Sequence, residues 1–208
     1  ISFVILALAF SSGPVFEGPD EQGHHAYIRY LVQNRSLPDV AELSIGQWFH
    51  APLYYMLAAP VMVVVGGASL EHHVGTNTFI FYHGLDAFTI PGNDNKNFVL
   101  HHQAEAFPYT ESGIARQVHS IRLLSIILGT CTVLTCVAIF RLLWPDNPER
   151  RLTALAFVAF WPQFIYVSSL INNDNLLTFL ATLSLWLVLR QLQVGPSTRS
   201  AITLGIIL

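Results

Sequence analysis

An acidic pair followed by two histidines is the strongest chemical feature of the sequence. Residues 18–25 read Gly-Pro-Asp-Glu-Gln-Gly-His-His. Asp20 or Glu21 could act as a general base on a hydroxyl or an amine. Either carboxylate could instead bind a divalent cation, with His24 or His25 adding a nitrogen ligand. A third interpretation is a solvated turn in which Asp20 caps the following helix.

Three other polar groups could join this acidic pair. His50 precedes a Pro-Leu-Tyr-Tyr segment, where it could face a phosphate or a metal, whereas the neighbouring aromatic residues suit a membrane–water interface. Arg116 and Arg122 recur with His119 at helical spacing, and a guanidinium fork suits a phosphate, although pairing with carboxylates would explain them equally well. Asp174 lies in an Asn-Asn-Asp-Asn turn, either as a helix cap or as a second acidic group of the site.

The composition is that of a membrane protein. The chain has 208 residues, of which 52% are hydrophobic and 11% charged, and its mean hydropathy is +0.48. Soluble domains carry roughly 25% charged residues. The net charge of -3 suggests no nucleic-acid partner. The two cysteines, Cys131 and Cys136, lie in one apolar run and are interpreted as core residues.

Apolar runs of about 20 residues predict an all-α, polytopic bundle of transmembrane helices. Since the chain begins with Ile1 and ends within an apolar run, we interpret it as a fragment cut at both ends. A long outer loop carrying interfacial helices should follow the first span. The expected spans are 1–13, 122–143, 152–170, 176–192 and 201–208, with the outer loop at 14–119.

The arginines predict the orientation of these spans. Arginine-rich short loops stay cytoplasmic, so the loops near Arg150 and Arg199 should lie inside and the turn at Asp174 outside. The outer loop then shares the extracytoplasmic side with that turn. Within it, 22–34 should form an amphipathic helix, and 51–65, interrupted by prolines, should lie on the outer leaflet as a hairpin or a helix. Residues 70–111 suggest no particular fold.

Six short motifs, taken in order, resemble a known family. They are Pro19-Asp20-Glu21, His50-Ala51-Pro52-Leu53-Tyr54-Tyr55, Arg122-Leu123-Leu124-Ser125, Arg141-Leu142-Leu143-Trp144, Trp161-Pro162-Gln163-Phe164 and Asn172-Asn173-Asp174-Asn175. This order resembles the N-terminal part of GT-C glycosyltransferases, akin to protein O-mannosyltransferases and aminoarabinose transferases. The resemblance covers nearly the whole chain and implies that the C-terminal remainder of the protein is missing.

The resemblance implies an enzyme that moves a sugar from a polyprenyl-phosphate donor to a protein, lipid or glycan acceptor. It implies a bacterial plasma membrane, an active site facing outside, and catalytic roles for Asp20 and Glu21. Asp174 matches a second acidic position. Some members use a divalent metal, for which Glu21, His24 and Asp174 are the candidates. Aminoarabinose transferases have a lysine beside the segment matching His50, and this chain has none there.

The expected mechanism is inverting transfer with Asp20 as the base that accepts the acceptor proton. Glu21 would orient Asp20 or hold a metal. His50, Arg116 and Arg122 would contact the lipid phosphate. Two other classes of function compete: a transporter or flippase, which would carry charges at the bilayer midplane, and a non-catalytic membrane subunit whose outer loop binds a partner.

Overall fold

The computed structural model describes residues 1–38, 49–66, 97, 99, 101, 103–195 and 197–207, and the regular elements among these residues are all helices. The chain divides into two compact units. We call Ser12–Ile121 the inserted unit, and Ile1–Ser11 together with Arg122–Leu208 the discontinuous unit. The all-α prediction is confirmed.

The inserted unit is built on a pair of packed helices. They are α2 (Glu21–Asn34) and α3 (Leu53–Val65), and a short 3₁₀ helix covers Gln103–Glu105. Tyr27 of α2 stacks on Tyr55 of α3 with ring centroids 4.0 Å apart. Both rings are buried, and such stacked pairs add to the energy of burial. The predicted amphipathic helix at 22–34 is therefore present as α2, and the segment 51–65, predicted as a hairpin or a helix, contains the helix α3 that packs on it.

One face of α3 is apolar and exposed. Leu53, Met56, Leu57, Val63 and Val64 are all more than 40% exposed, and their spacing of three, four, six and seven residues places them on one side of the helix. The opposite side holds buried Tyr54, Tyr55, Ala58 and Met62. A helix with one apolar side in the core and another apolar side exposed suits the surface of a bilayer.

The discontinuous unit contains the remaining helices. They are α1 (Ser2–Ser11), α4 (Gly113–Leu143, which begins in the inserted unit), α5 (Pro148–Ala159), α6 (Pro162–Ser168), α7 (Asp174–Val194) and α8 (Thr198–Ile207). Its core includes Phe3, Ala7, Ile126, Ala159 and Ile165. Phe3 stacks on Phe164 with ring centroids 5.2 Å apart, which joins α1 to α6.

The predicted span 152–170 is two helices rather than one. Trp161, between α5 and α6, has an extended backbone with ψ of 115°. Residues that precede a proline avoid the helical region, and Pro162 then starts the next helix because proline lacks an N–H. The sequence therefore signalled the break at Pro162, which the prediction of a continuous span overlooked.

Within the described parts of the chain, two helices are long and apolar enough to cross a membrane, Gly113–Leu143 and Asp174–Gln193. Apolar side chains on both remain exposed, Ile127 and Leu134 on α4 and Leu177 on α7 among them. A core helix of a soluble protein would bury such residues, so the exposure supports association with a membrane. Ser2–Ser11 and Leu53–Val65 are apolar but shorter. The number of crossings in the expected bundle stays a prediction.

Candidate functional site

The turn before α2 holds Asp20 in an unusual backbone conformation. The Glu21 amide donates to the Gly18 carbonyl at 3.3 Å, and Asp20 has φ of 59° and ψ of 0°. These values fit a type II turn with Pro19 as its second residue, and the third position of such a turn favours glycine or asparagine. A left-handed conformation costs a non-glycine residue roughly 1–2 kcal/mol, although aspartate tolerates it better than most.

The Asp20 side chain does not cap the helix. Asp20 occupies the N-cap position of α2, but its side chain forms no capping hydrogen bond. The side chain is exposed. The helix-cap interpretation thus has the right position but lacks the bond that would stabilise the helix. A strained residue whose carboxylate faces solvent is a typical candidate for function.

Glu21, in contrast, is fully buried. Its relative exposure is 0%, and the Oε2 atom accepts a hydrogen bond from the Phe16 amide at 3.0 Å. Phe16 also has a positive φ, of 60°. The Glu21 carboxylate therefore closes the loop 16–21 and holds the backbone that carries Asp20. The expected role of Glu21 in orienting Asp20 stays a prediction.

A glutamate–histidine–glutamate cluster also holds this loop, through contacts with a distant segment of the chain. His101 Nε2 lies 2.8 Å from Glu17 Oε1, and His101 Nδ1 lies 2.8 Å from Glu105 Oε2. The Val99 amide donates to Glu17 Oε1 at 3.2 Å. A doubly protonated imidazole can donate to both carboxylates, whereas a neutral ring can donate to only one. The cluster joins the loop to a segment more than 80 residues away in the chain.

His24, one turn into α2, brings His50 and Tyr55 into the surroundings of Asp20. His24 Nδ1 lies 2.8 Å from the Tyr55 hydroxyl, and its ring centroid lies 5.6 Å from that of His50. The pKa of His24 is lowered to about 4, chiefly by burial and next by His50, while the charge of Asp20 opposes the shift. Neutral His24 can accept a hydrogen bond from the Tyr55 hydroxyl at Nδ1 and donate one from Nε2.

His25 has a structural environment. Its Nε2 atom lies 3.3 Å from Gln117 Oε1, and its ring meets Phe16 edge-on at a centroid distance of 5.2 Å. The pKa of His25 is lowered to about 4, mainly by burial, with the Gln117 contact opposing and the Arg29 charge reinforcing the shift. The ring therefore links α2 to α4 and supports the loop at Phe16.

The two arginines expected to contact phosphate make different contacts. Arg116 donates from Nη1 to the Thr110 carbonyl at 2.6 Å and is partly exposed. Arg122 is 1% exposed and donates from Nη1 to the Ser11 carbonyl at 2.9 Å, at the end of α1. A cation suits the C-terminal end of a helix. The phosphate contacts of both arginines stay predictions.

Asp174 is the first residue of α7, and Asn173 occupies the N-cap position. The Asp174 amide donates to Asn172 Oδ1 at 2.8 Å. Its exposed carboxylate lies in the first turn, where the negative charge interacts favourably with the helix dipole. Asp174 belongs to the discontinuous unit and Asp20 to the inserted unit, so their expected proximity stays a prediction.

A metal site does not assemble from the candidate ligands within the part of the chain that the structure describes. No group of three or more His, Cys, Asp or Glu side chains among these residues is arranged to hold an ion. Glu21 accepts a bond from the Phe16 amide and His24 Nδ1 faces the Tyr55 hydroxyl. The expected divalent cation stays a prediction, and the mechanism below assigns no step to it.

Sequence reasoning missed the contacts that hold the site together. Glu17 and His101 were visible as residue types, but 84 positions separate them, and no spacing rule connects such distant residues. The residues 70–111 were left without a fold, and most of them lie outside the described residues. His25 was considered only as a metal ligand, although its contact with Gln117 makes it part of the scaffold.

The residues that the structure describes form a helical protein, with two helices long and apolar enough to cross a membrane and a polar site in the inserted unit. Comparison of the chain with family models, with curated proteins and with solved structures gave no match.

Proposed function

We propose that this chain is the N-terminal part of a bacterial membrane glycosyltransferase that takes a sugar from a polyprenyl-phosphate donor. Transfer takes place on the extracytoplasmic side and inverts the anomeric carbon. The acceptor is a hydroxyl or an amine of a protein, lipid or glycan. The proposal rests on the geometry of Asp20. Its backbone has a strained conformation, and its side chain is exposed and forms no capping hydrogen bond.

The chemistry needs one general base and little acid assistance. The acceptor oxygen or nitrogen attacks the anomeric carbon while the bond from that carbon to the lipid phosphate oxygen breaks. The phosphate leaves as an anion, so it needs cations or hydrogen-bond donors rather than a general acid. The acceptor proton moves to the Asp20 carboxylate, whose position Glu21 and Glu17 hold through loop 16–21.

The imidazoles beside Asp20 supply donors for the leaving phosphate. Neutral His24 with Nδ1 facing Tyr55 carries its proton on Nε2 when the Tyr55 hydroxyl donates. His50 lies against the same ring at a centroid distance of 5.6 Å. Such groups hydrogen-bond phosphate oxygens without a buried cation, and Arg116 can add charge. The apolar side of α3 matches the lipid tail of the donor.

The test is the substitution Asp20→Asn in the full-length protein, assayed with a polyprenyl-phosphate sugar. Asparagine keeps the shape and tolerates the same backbone region but is not a base. Turnover should fall about 10²-fold or more with donor binding almost unchanged. Asp146→Asn, at an exposed position in the loop after α4, is the matched control. Near-normal turnover in Asp20→Asn would remove Asp20 from the mechanism and overturn the proposal, because the other carboxylate of the pair, Glu21, is fully buried.

A further inference from the structure

Two cavities lie between the C-terminal end of α4 and helix α5, and both belong to the discontinuous unit. The larger has a volume of about 800 Å³ and the smaller about 250 Å³. Phe140 lines both. The proposed glycosyl transfer uses neither cavity, so they need a separate explanation.

The smaller cavity combines two arginines with an apolar wall. Arg141 comes from the last turn of α4 and Arg151 from the first turn of α5. Val137, Phe140, Leu152 and Leu155 supply the rest of its surface, with Pro148. No carboxylate lines this cavity. Its lining therefore offers two positive charges beside a surface that suits hydrocarbon.

Among the described residues, neither Arg141 nor Arg151 forms a salt bridge. Two like charges that face one cavity repel each other, and an anion between them would remove that repulsion. The larger cavity differs in this respect, because Glu149 lines it together with Arg150. An anion is therefore favoured in the smaller cavity rather than in the larger one.

The position of Arg141 along α4 matches the edge of a bilayer. Residues 123–140 contain no charged side chain, and Arg122 and Arg141 stand at the two ends of this run. Nineteen residue steps at the rise of an α-helix span about 28 Å, close to the ~30 Å thickness of bilayer hydrocarbon. If α4 crosses the membrane, Arg141 lies at the level of the lipid head groups.

We propose that this cavity binds an anionic glycerophospholipid. The phosphate diester lies between the Arg141 and Arg151 guanidinium groups, which match phosphate oxygens with paired N–H donors. The first methylenes of the acyl chains lie against Val137, Leu152 and Leu155. Basic pockets between membrane helices are known sites for anionic head groups. The volume of about 250 Å³ admits a head group and the start of its chains, while the remainder of the lipid stays in the bilayer.

The test measures lipid retention by native mass spectrometry of the full-length protein, delipidated in a nonionic detergent. Phosphatidylglycerol should bind at least about tenfold more tightly than phosphatidylcholine. The double substitution Arg141→Gln with Arg151→Gln should remove that preference, because glutamine keeps helix propensity without the charge. Arg150→Gln, at the larger cavity, is the matched control and should keep it. An equal loss in Arg150→Gln would overturn the proposal by showing a diffuse charge effect.

Two further measurements cover the remaining outcomes. Leu152→Glu places a carboxylate in the cavity and leaves both arginines, so it should weaken phosphatidylglycerol binding even if the double variant fails to fold. Leu152 is 68% exposed, so this position should accept the change. Free glycerol phosphate should compete poorly, because it lacks the acyl chains. Full competition by glycerol phosphate, or unchanged lipid binding in both Leu152→Glu and the double variant, would overturn the proposal.

Discussion

Glu17 Oε1 lies 2.8 Å from His101 Nε2 and 3.2 Å from the Val99 amide nitrogen, so one carboxylate joins the loop before α2 to a distant segment of the chain. This loop carries Asp20, and two of its residues, Phe16 and Asp20, have positive φ angles. A carboxylate that accepts two hydrogen bonds from a remote segment restricts the movement of such a loop. Glu17 is therefore a positioning residue in the proposed mechanism.

Glu17→Ala should loosen loop 16–21 without removing the base. The Phe16 amide should exchange its hydrogen at least about tenfold faster, since its bond to Glu21 depends on the loop conformation. In a transfer assay, kcat should fall more than KM rises, because the base is misplaced only for the chemical step. Glu111→Ala, at an exposed carboxylate of the same unit, is the control. Equal exchange rates in Glu17→Ala and the parent protein would contradict the positioning role.

The inserted unit should lose stability as the pH falls from about 6.5 to about 4. The pKa values of His24 and His25 are lowered from 6.5 to about 4 in the folded chain. Over that range the unfolded chain binds protons that the folded chain does not, so stability is complete above 6.5 and decreases towards acid pH. At pH 5 the loss should be roughly 2 kcal/mol for each histidine.

Hydrogen exchange of the α2 amides at pH 7 and pH 5, corrected for intrinsic rates, measures this effect. The amides of α7 serve as an internal reference, because that helix contains no histidine. A fall in protection confined to α2 and its neighbours is expected. Equal protection of α2 at the two pH values would show that protonation of the two histidines does not lower the stability of the inserted unit.

Asp20→Gly should be more stable than Asp20→Ala by about 1 kcal/mol. Glycine adopts a φ of 59° without strain, whereas alanine does not. Both substitutions remove the carboxylate, so both should abolish transfer. The thermal midpoint of the purified protein measures the difference. If the Asp20 side chain stabilised the helix as a cap, alanine and glycine would both be destabilising relative to aspartate, and Asp20→Gly would fall clearly below the parent protein.

Gly129→Ala should destabilise the discontinuous unit. A Cβ at Gly129 would lie 2.6 Å from Ser168 Oγ, 2.9 Å from Ser168 Cβ and 3.0 Å from Phe3 Cζ. Such overpacking costs about 1–3 kcal/mol. The matched control is Gly205→Ala in α8, where a Cβ meets nothing within 4 Å; it should gain up to about 1 kcal/mol of helix propensity. Thermal midpoints that change alike in the two variants would contradict the close packing at Gly129.

The helices could be predicted from the sequence because their signals are local. Apolar runs and proline positions gave α2, α3, α4 and α7 within a few residues, apart from the early start of α4 at Gly113. The acidic turn was also visible, since Gly-Pro-Asp-Glu is a turn signal. The opposite environments of Asp20 and Glu21 could not be predicted: adjacent residues of the same chemical type differ only because the fold buries one of them.

The exposed apolar side of α3 has a practical consequence for anyone preparing the inserted unit by itself. Leu53, Met56, Leu57, Val63 and Val64 would face water in a soluble fragment, and a patch of that kind drives self-association. A fragment covering the inserted unit should therefore elute as large assemblies in plain buffer and as smaller particles once micelles are added. Replacing Leu57 and Val64 with lysine would give the more tractable sample for spectroscopy.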